Sequence, residues 1–90
     1  LERIAGYPPF PRDAAQRTAA FIEQLSALKA GTYIFIDHPA VASPELSATG
    51  HAGYEDVSAD RMSCLETLTS DALMAHVKAL DIQLITYRDL

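Results

Sequence analysis

The first regular pattern of apolar and polar positions begins immediately after Asp13, an acid that can cap a helix. Asp13 is followed three residues later by Gln16, which is the spacing of a capping box. The pattern predicts an amphipathic helix of about four turns, which Gly31 ends in a left-handed conformation. Its core-facing positions are Ala14, Thr18, Phe21, Ile22, Leu25 and Leu28.

A continuous apolar run follows the predicted helix. The stretch "TYIFID" (32–37) is rich in aromatic and β-branched residues, which is typical of a strand covered on both faces in a parallel sheet. Residues 39–60 then contain two prolines and two glycines, and only Ser43, Pro44 and Glu45 resemble a helix start. We therefore predict a long loop with at most one helical turn, and such loops are commonly functional.

Helical spacing returns in two further segments before a last strand-like run. The first segment contains Met62, Leu65 and Leu68. The second follows Thr69 or Ser70 as N-cap, with Asp71 in the first turn, and its apolar positions are Leu73, Met74, Val77 and Leu80. The run "IQLITY" (82–87) predicts a second strand. A strand, a helical connection and a strand imply parallel pairing, so the predicted class is α/β.

Length and composition limit what the chain can be. Ninety residues make one small domain, and three prolines within 1–12 predict a connector ahead of an α/β portion at 13–90. The chain begins at Leu1, so we expect it to be part of a longer protein. A net charge of −5 without a basic stripe argues against nucleic acid, and no apolar run approaches the ~18 residues of a membrane span.

The candidate functional residues lie where the first predicted strand ends. Asp37 and His38 follow that strand, and ligands of parallel α/β proteins bind at the carboxyl ends of strands. The long loop brings His51 and Tyr54 to the same edge. We predict His38 as the catalytic candidate and Asp37, His51 and Tyr54 as substrate-binding candidates.

Each candidate also has a structural interpretation. His38 can hydrogen-bond a neighbouring backbone group, Asp37 can cap the loop or orient His38, and His51 can be a solvated loop residue. Arg61 can be an exposed helix charge or can pair with a loop acid and hold the loop down. The single cysteine, Cys64, is predicted to be a small core residue rather than a nucleophile.

Recognised catalytic motifs are missing from the sequence. It contains no phosphate-binding glycine loop, no HExxH, no CxxC and no GxSxG. Asp37, His38 and His51 are metal-ligand types, but an adjacent pair and a distant histidine form a weak metal signature. A metal site within these residues is therefore not predicted.

Three segments carry a family resemblance: "LKAGTYIFIDHPA", "GYEDVSADR" and "LTSDALMAHVKALDIQLITYRDL". Together they resemble the C-terminal part of the YdjC-like (ChbG-type) carbohydrate deacetylases, over about residues 13–90. The resemblance implies the terminal β-α-β portion of a (β/α) barrel-like deacetylase fold, with parallel strands and packed helices. It also implies a hydrolase that removes acetyl groups from N-acetylated sugars with a divalent metal such as zinc or magnesium.

The resemblance assigns roles residue by residue. His38 matches the histidine of the family's His-Pro motif, which implies a place at the active-site rim, and Arg61 matches an arginine with a loop-anchoring role. The family's metal ligands lie on earlier strands, outside this sequence, so this chain alone is expected to be inactive. Where the family has glycine, this chain has Ala40, which must avoid positive φ, and Asp81, which tolerates it.

Two further expectations stay open beside the deacetylase. The chain can instead be a non-catalytic α/β module that binds a ligand or a protein through the 39–60 loop. In either case an unpaired strand edge would favour a homo-oligomer at high concentration.

Overall fold

The computed structural model describes residues 2–4 and 11–90. The described part is a small α/β protein with two strands and several helices, as the sequence predicts. No helix in these residues is long and apolar enough to cross a membrane. In chain order the elements are strand β1 (Glu2–Ile4), helix α1 (Ala14–Ser26), strand β2 (Tyr33–Phe35), helices α2 (Pro44–Ser47), α3 (Val57–Leu68) and α4 (Asp71–Ala79), and a 3-10 helix (Tyr87–Asp89).

The two strands pair in parallel and are joined through α1. Glu2 lies opposite Tyr33, and Ile4 lies opposite Phe35. The sequence predicts residues 2–4 to be part of the proline-rich connector, but they form β1, so the structure corrects this prediction at the start of the chain. Residues 1 and 5–10 of that predicted connector lie outside the described residues. The parallel unit is therefore β1-α1-β2 rather than one built from β2 and 82–87.

Local capping fixes where the helices begin. The Asp13 carboxylate accepts a hydrogen bond from the Gln16 N–H at 3.0 Å, which confirms the predicted start of α1. Ser43 caps α2, with Pro44 as its first residue, and Ser70 caps α4. The exit of α1 differs from the prediction, because the helix already ends at Ser26. Ala27 closes the last turn in a right-handed conformation, so no left-handed glycine is needed there.

A small apolar core lies between the sheet and two helices. Phe21 of α1 is buried with Ile4 of β1 and Leu73 of α4. The Phe21 and Phe35 rings have centroids 4.4 Å apart and are tilted by 35°, a favourable offset arrangement. Val77 and several other half-buried apolar residues pack around this cluster. The core therefore joins β1, β2, α1 and α4, and α3 reaches it through Leu68 at its C-terminal end.

The buried face of α3 combines apolar and polar residues. Its predicted apolar residues, Met62, Leu65 and Leu68, are only half-buried. The helix begins at Val57, so the last residues of the predicted 39–60 loop belong to it. The buried residues of this helix are Val57, Asp60, Ser63, Cys64 and Thr67. Helix α3 therefore contacts α1 through polar groups as well as through the packing of Leu68 on the core, and one of the polar contacts is the hydrogen bond between the hydroxyls of Thr18 and Thr67 at 3.0 Å.

Two substituted glycine positions behave as the sequence predicts. Asp81 has φ of 55° and ends α4 in a Schellman arrangement, in which the Ile82 N–H bonds the Val77 carbonyl at 3.0 Å. Ala40 has no positive φ, since Asp81 is the one non-glycine residue with that geometry in the described chain.

The predicted strand at 82–87 does not form in the described residues. The sheet there contains β1 and β2 alone, and Tyr87 belongs to a 3-10 helix capped by Thr86 and Asp89. A strand needs hydrogen-bonding partners, and the β-type side chains of this run do not supply them. Leu84 and Tyr87 are 76% and 71% exposed.

Substitution of Asp81 tests the left-handed end of α4. Asp81→Gly removes both the steric strain and a negative charge at the helix C-terminus, so the free energy of unfolding should stay equal or rise by up to ~1 kcal/mol. Asp81→Asn removes only the charge, and Asp81→Val should lose about 1–2 kcal/mol. Urea unfolding would measure all three, and equal stabilities of the glycine and valine variants would contradict the assignment.

Candidate functional site

The carboxyl end of β2 is fixed by a buried ion pair. Arg17 of α1 donates from Nη2 to Asp37 Oδ2 at 2.7 Å, and the two side chains are 3% and 7% exposed. The other carboxylate oxygen, Asp37 Oδ1, accepts the backbone N–H of His38 at 2.8 Å. Asp37 therefore orients the backbone at His38, which is one of the two roles that the sequence left open.

The same guanidinium also contacts α3. Arg17 Nη1 donates to Asp60 Oδ1 at 2.7 Å, to the Asp60 carbonyl at 3.1 Å and to Ser63 Oγ at 3.1 Å. Burial alone would lower the pKa of Arg17, but the hydrogen bonds to Asp60 and Asp37 outweigh it and raise that pKa. One permanently charged side chain thus joins α1, the end of β2 and α3.

Asp60 connects this ion pair to the long loop. The Tyr54 hydroxyl donates to Asp60 Oδ2, and Arg12 Nη1 lies 3.1 Å from Asp60 Oδ1. Burial by itself would raise the pKa of Asp60, but the hydrogen bonds from Tyr54 and Arg17 and the charge of Arg12 lower it below its ordinary value. Asp60 is therefore held as a carboxylate, and the Tyr54 hydroxyl is committed to it.

A more exposed pair extends the contacts to the N-terminus of α3. Arg12 Nε donates to Asp56 Oδ2 at 2.7 Å, and this hydrogen bond lowers the pKa of the Asp56 carboxyl. The Arg12 guanidinium also lies 5.8 Å from the centroid of the Tyr54 ring. Exposed pairs contribute little to stability, so the buried contacts of Arg17 matter more. We call Arg12, Arg17, Asp37, Asp56 and Asp60 the ion-pair cluster.

The two candidate histidines lie at the surface on either side of this cluster. His38 is exposed directly after Asp37. His51 is exposed as well, and its backbone pairs with Tyr54 through hydrogen bonds of 3.2 and 2.9 Å. The structure therefore connects the four predicted site residues by a chain of contacts from His38 through Asp37, Arg17, Asp60 and Tyr54 to His51.

Arg61 holds the loop by its backbone. Its carbonyl accepts the Ala40 N–H at 3.2 Å, so the segment after His38 is tied to α3. Its guanidinium makes no ion pair with a described acid, and its buried Nε has no hydrogen-bond partner among the described residues. The side-chain pairing considered for Arg61 is instead made by Arg12 with Asp56.

Cys64 is a buried neighbour of the same strand end. It is 1% exposed, which confirms the prediction of a small core residue. Burial and the Asp37 carboxylate raise the pKa of the thiol to about 12, against the opposing effects of Arg17 and the His38 backbone N–H. Because the thiolate is the reactive form, Cys64 is not a nucleophile at neutral pH.

Metal ligands do not converge in the described part of the chain. No group of three or more histidine, cysteine, aspartate or glutamate side chains there is arranged to hold an ion. Asp37, the carboxylate next to His38, is already engaged by Arg17 and a backbone N–H. These residues therefore do not fit a metal centre of their own.

The sequence analysis assigns no role to two central residues of the cluster, Arg17 and Asp60. Arg17 lies four residues before Phe21 and hence on the buried face of α1, and an arginine there signals a buried partner. Asp60 shares a helix face with Cys64 and Thr67 at helical spacing. A charged residue at the helical spacing of the buried positions is the signal that could have identified both Arg17 and Asp60.

Comparisons of the chain with protein-family models, with functionally curated proteins and with solved structures found no match. The resemblance to the carbohydrate deacetylases therefore stays a proposal.

The lowered pKa of Asp60 predicts acid sensitivity. A carboxyl whose pKa is lower in the folded state stabilises the fold above the unfolded pKa, near 4, and this contribution is lost as pH falls through the folded pKa. Asp60→Asn should therefore lower the free energy of unfolding by about 3 kcal/mol at pH 7. Below about pH 4 the variant should lose less further stability than the unaltered chain does.

Urea unfolding at several pH values would measure this change. Glu23→Gln, at an exposed acid of α1, is the matched control and should keep the acid-induced loss of stability. If Asp60→Asn shows the same dependence on pH as the unaltered chain, the acid sensitivity belongs to other carboxyl groups.

Proposed function

We propose that this chain is the terminal portion of a metal-dependent carbohydrate deacetylase with a (β/α) barrel-like fold. The substrate would be an N-acetylated sugar or oligosaccharide, from which the enzyme hydrolyses the acetyl group. The parallel β1-α1-β2 unit is compatible with such a barrel. The matching His-Pro, Asp-Arg and Tyr-Arg-Asp-Leu segments support the family resemblance.

The observation that carries the proposal is the position of His38. It follows the carboxyl end of a parallel strand, its side chain is exposed, and its backbone N–H is held by Asp37. An imidazole can both donate and accept a proton, so at such a strand end it can give a proton to the leaving amine or take one from water. We assign His38 the acid–base role on this ground.

The other site candidates would support substrate binding in different ways. His51 is exposed and can hydrogen-bond sugar hydroxyls. The Tyr54 hydroxyl is engaged by Asp60 and its ring lies beside the Arg12 guanidinium and the His51 ring, so Tyr54 would support substrate binding by holding His51 in place. Asp37 acts on His38 rather than on substrate. The divalent metal, such as zinc or magnesium, would polarise the amide carbonyl, and its ligands would have to come from outside the described residues.

Substitution of His38 tests the acid–base role. In the longer protein of which this chain would be a part, His38→Ala should lower kcat for acetate release from N-acetylglucosamine oligosaccharides by about 10²- to 10⁴-fold. His76→Ala is the matched control, because His76 is exposed on α4 away from the cluster and should retain full turnover. Unaltered turnover in a folded His38→Ala protein would remove His38 from the site.

A second function is favoured by one observation. The 39–60 loop is held by contacts at three places, Ala40 with Arg61, Tyr54 with Asp60, and Arg12 with Asp56, so it is organised before any ligand arrives. A rigid loop suits a non-catalytic module that binds a ligand or a partner protein, since less entropy is lost on binding. Absence of deacetylation in the longer protein, with retained loop structure, would favour this function.

Self-association accompanies either function. The segment 82–86 carries exposed apolar side chains and lies outside the sheet. Such a segment favours pairing with another copy of the chain. Sedimentation equilibrium should show a concentration-dependent oligomer that Leu84→Lys weakens by placing a charge on the exposed run. A monomer at all concentrations, for the unaltered chain, would contradict this expectation.

A further inference from the structure

We infer that Arg17 is a positioning residue for His38 and that it acts through Asp37; this inference deepens the proposed function and rests on it. The contacts form an uninterrupted series. Arg17 Nη2 donates to Asp37 Oδ2 at 2.7 Å, and Asp37 Oδ1 accepts the His38 N–H at 2.8 Å. The two oxygens of one carboxylate therefore transmit the position of the guanidinium to the backbone that carries the imidazole.

The guanidinium is itself held from a second side. Arg17 Nη1 contacts Asp60 and Ser63 of α3, and Ser63 Oγ also donates to the Asp60 carbonyl at 2.8 Å. These contacts leave Arg17 almost fully buried between two helices. Because a guanidinium is planar and its donors are fixed in direction, holding one nitrogen on α3 fixes the direction in which the other approaches Asp37.

A neighbouring buried side chain and a backbone hydrogen bond add to this arrangement. Cys64 is 1% exposed, and its thiol interacts with the Asp37 carboxylate and the His38 N–H. With Ala40 tied to the Arg61 carbonyl, the backbone is restrained on both sides of His38. A side chain that transfers protons must be held within a fraction of an ångström, and these restraints fix the backbone from which the exposed imidazole extends.

The alternative is that Arg17 only stabilises the fold. A purely structural ion pair would lower the amount of folded protein when it is broken, but it would leave His38 equally ordered in the folded fraction. A positioning residue would change the order of His38 in protein that is still folded. The test therefore follows His38 itself as well as stability.

Two variants break the series at different points. Arg17→Lys keeps the charge but loses the planar fork, so one ammonium cannot hold Asp37 and Asp60 with the same geometry. Asp37→Asn keeps the size but removes the carboxylate charge that Arg17 holds. Arg12→Gln is the matched control, because it removes the neighbouring contacts to Asp56 and Asp60 without touching Asp37.

The first measurement is NMR on the 90-residue chain, and it does not depend on activity. The order parameter of the His38 amide should fall from about 0.85 to below about 0.6 in Arg17→Lys and Asp37→Asn, and stay near 0.85 in Arg12→Gln. Unaltered His38 order in both folded variants would overturn the inference. Loss of the fold in both variants would overturn it too, in favour of a structural role alone.

The second measurement is deacetylase kinetics in the longer protein, per mole of folded enzyme. Arg17→Lys should lower kcat by about 10- to 100-fold with KM within about twofold, since orientation of a catalytic group is lost while substrate contacts remain. The two proposals fail in different ways. If His38→Ala leaves turnover intact while the NMR effect is present, the acid–base role fails and the positioning by Arg17 stands.

Discussion

A single buried guanidinium holds the parts of this small protein in register. Arg17 reaches the end of β2 through Asp37 and reaches α3 through Asp60 and Ser63. Burial of a charge costs several kcal/mol unless every partner is in place, and here each side of the guanidinium fork has a carboxylate. The ion pair is thus less a source of net stability than a requirement that the three elements meet in one geometry.

The distribution of apolar and polar contacts follows from this arrangement. The apolar core joins the sheet to α1 and α4 around Phe21 and includes Leu68 of α3, while Arg17 and a pair of threonine hydroxyls add polar contacts between α3 and α1. Apolar contacts tolerate small displacements, but hydrogen bonds are directional. The edge of the molecule that carries the long loop is therefore the edge built from directional contacts, as a site with ordered side chains requires.

Features that depend on neighbouring residues could be predicted from the sequence. The starts of α1, α2 and α4 follow from Asp13, Ser43 and Ser70, whose capping bonds reach only three residues along the chain. The left-handed turn at Asp81 is equally local. The burial of Cys64 followed from its place on a helix without a reactive partner nearby in sequence.

Features that depend on distant residues could not be predicted. Arg17 and Asp60 are separated by 43 positions. No local sequence pattern indicates that an arginine on an apolar helix face pairs with that particular acid. The same reason explains why β1 is not predicted from the sequence and why the predicted strand at 82–87 does not form. A strand is defined by the strand with which it pairs. Glu2–Ile4 has a partner in β2 and becomes a strand, whereas the more strand-like "IQLITY" has none in the described residues.

The shared use of one guanidinium by Asp37 and Asp60 has a consequence for how such a sequence can diverge. Replacement of Arg17 leaves the buried Asp37 carboxylate without its counterion, and replacement of either acid leaves one side of the buried guanidinium without a carboxylate. Single substitutions would thus be selected against, whereas joint replacement by apolar residues of similar volume would be tolerated. Among related sequences, positions 17, 37 and 60 should co-vary as a unit and change together or not at all.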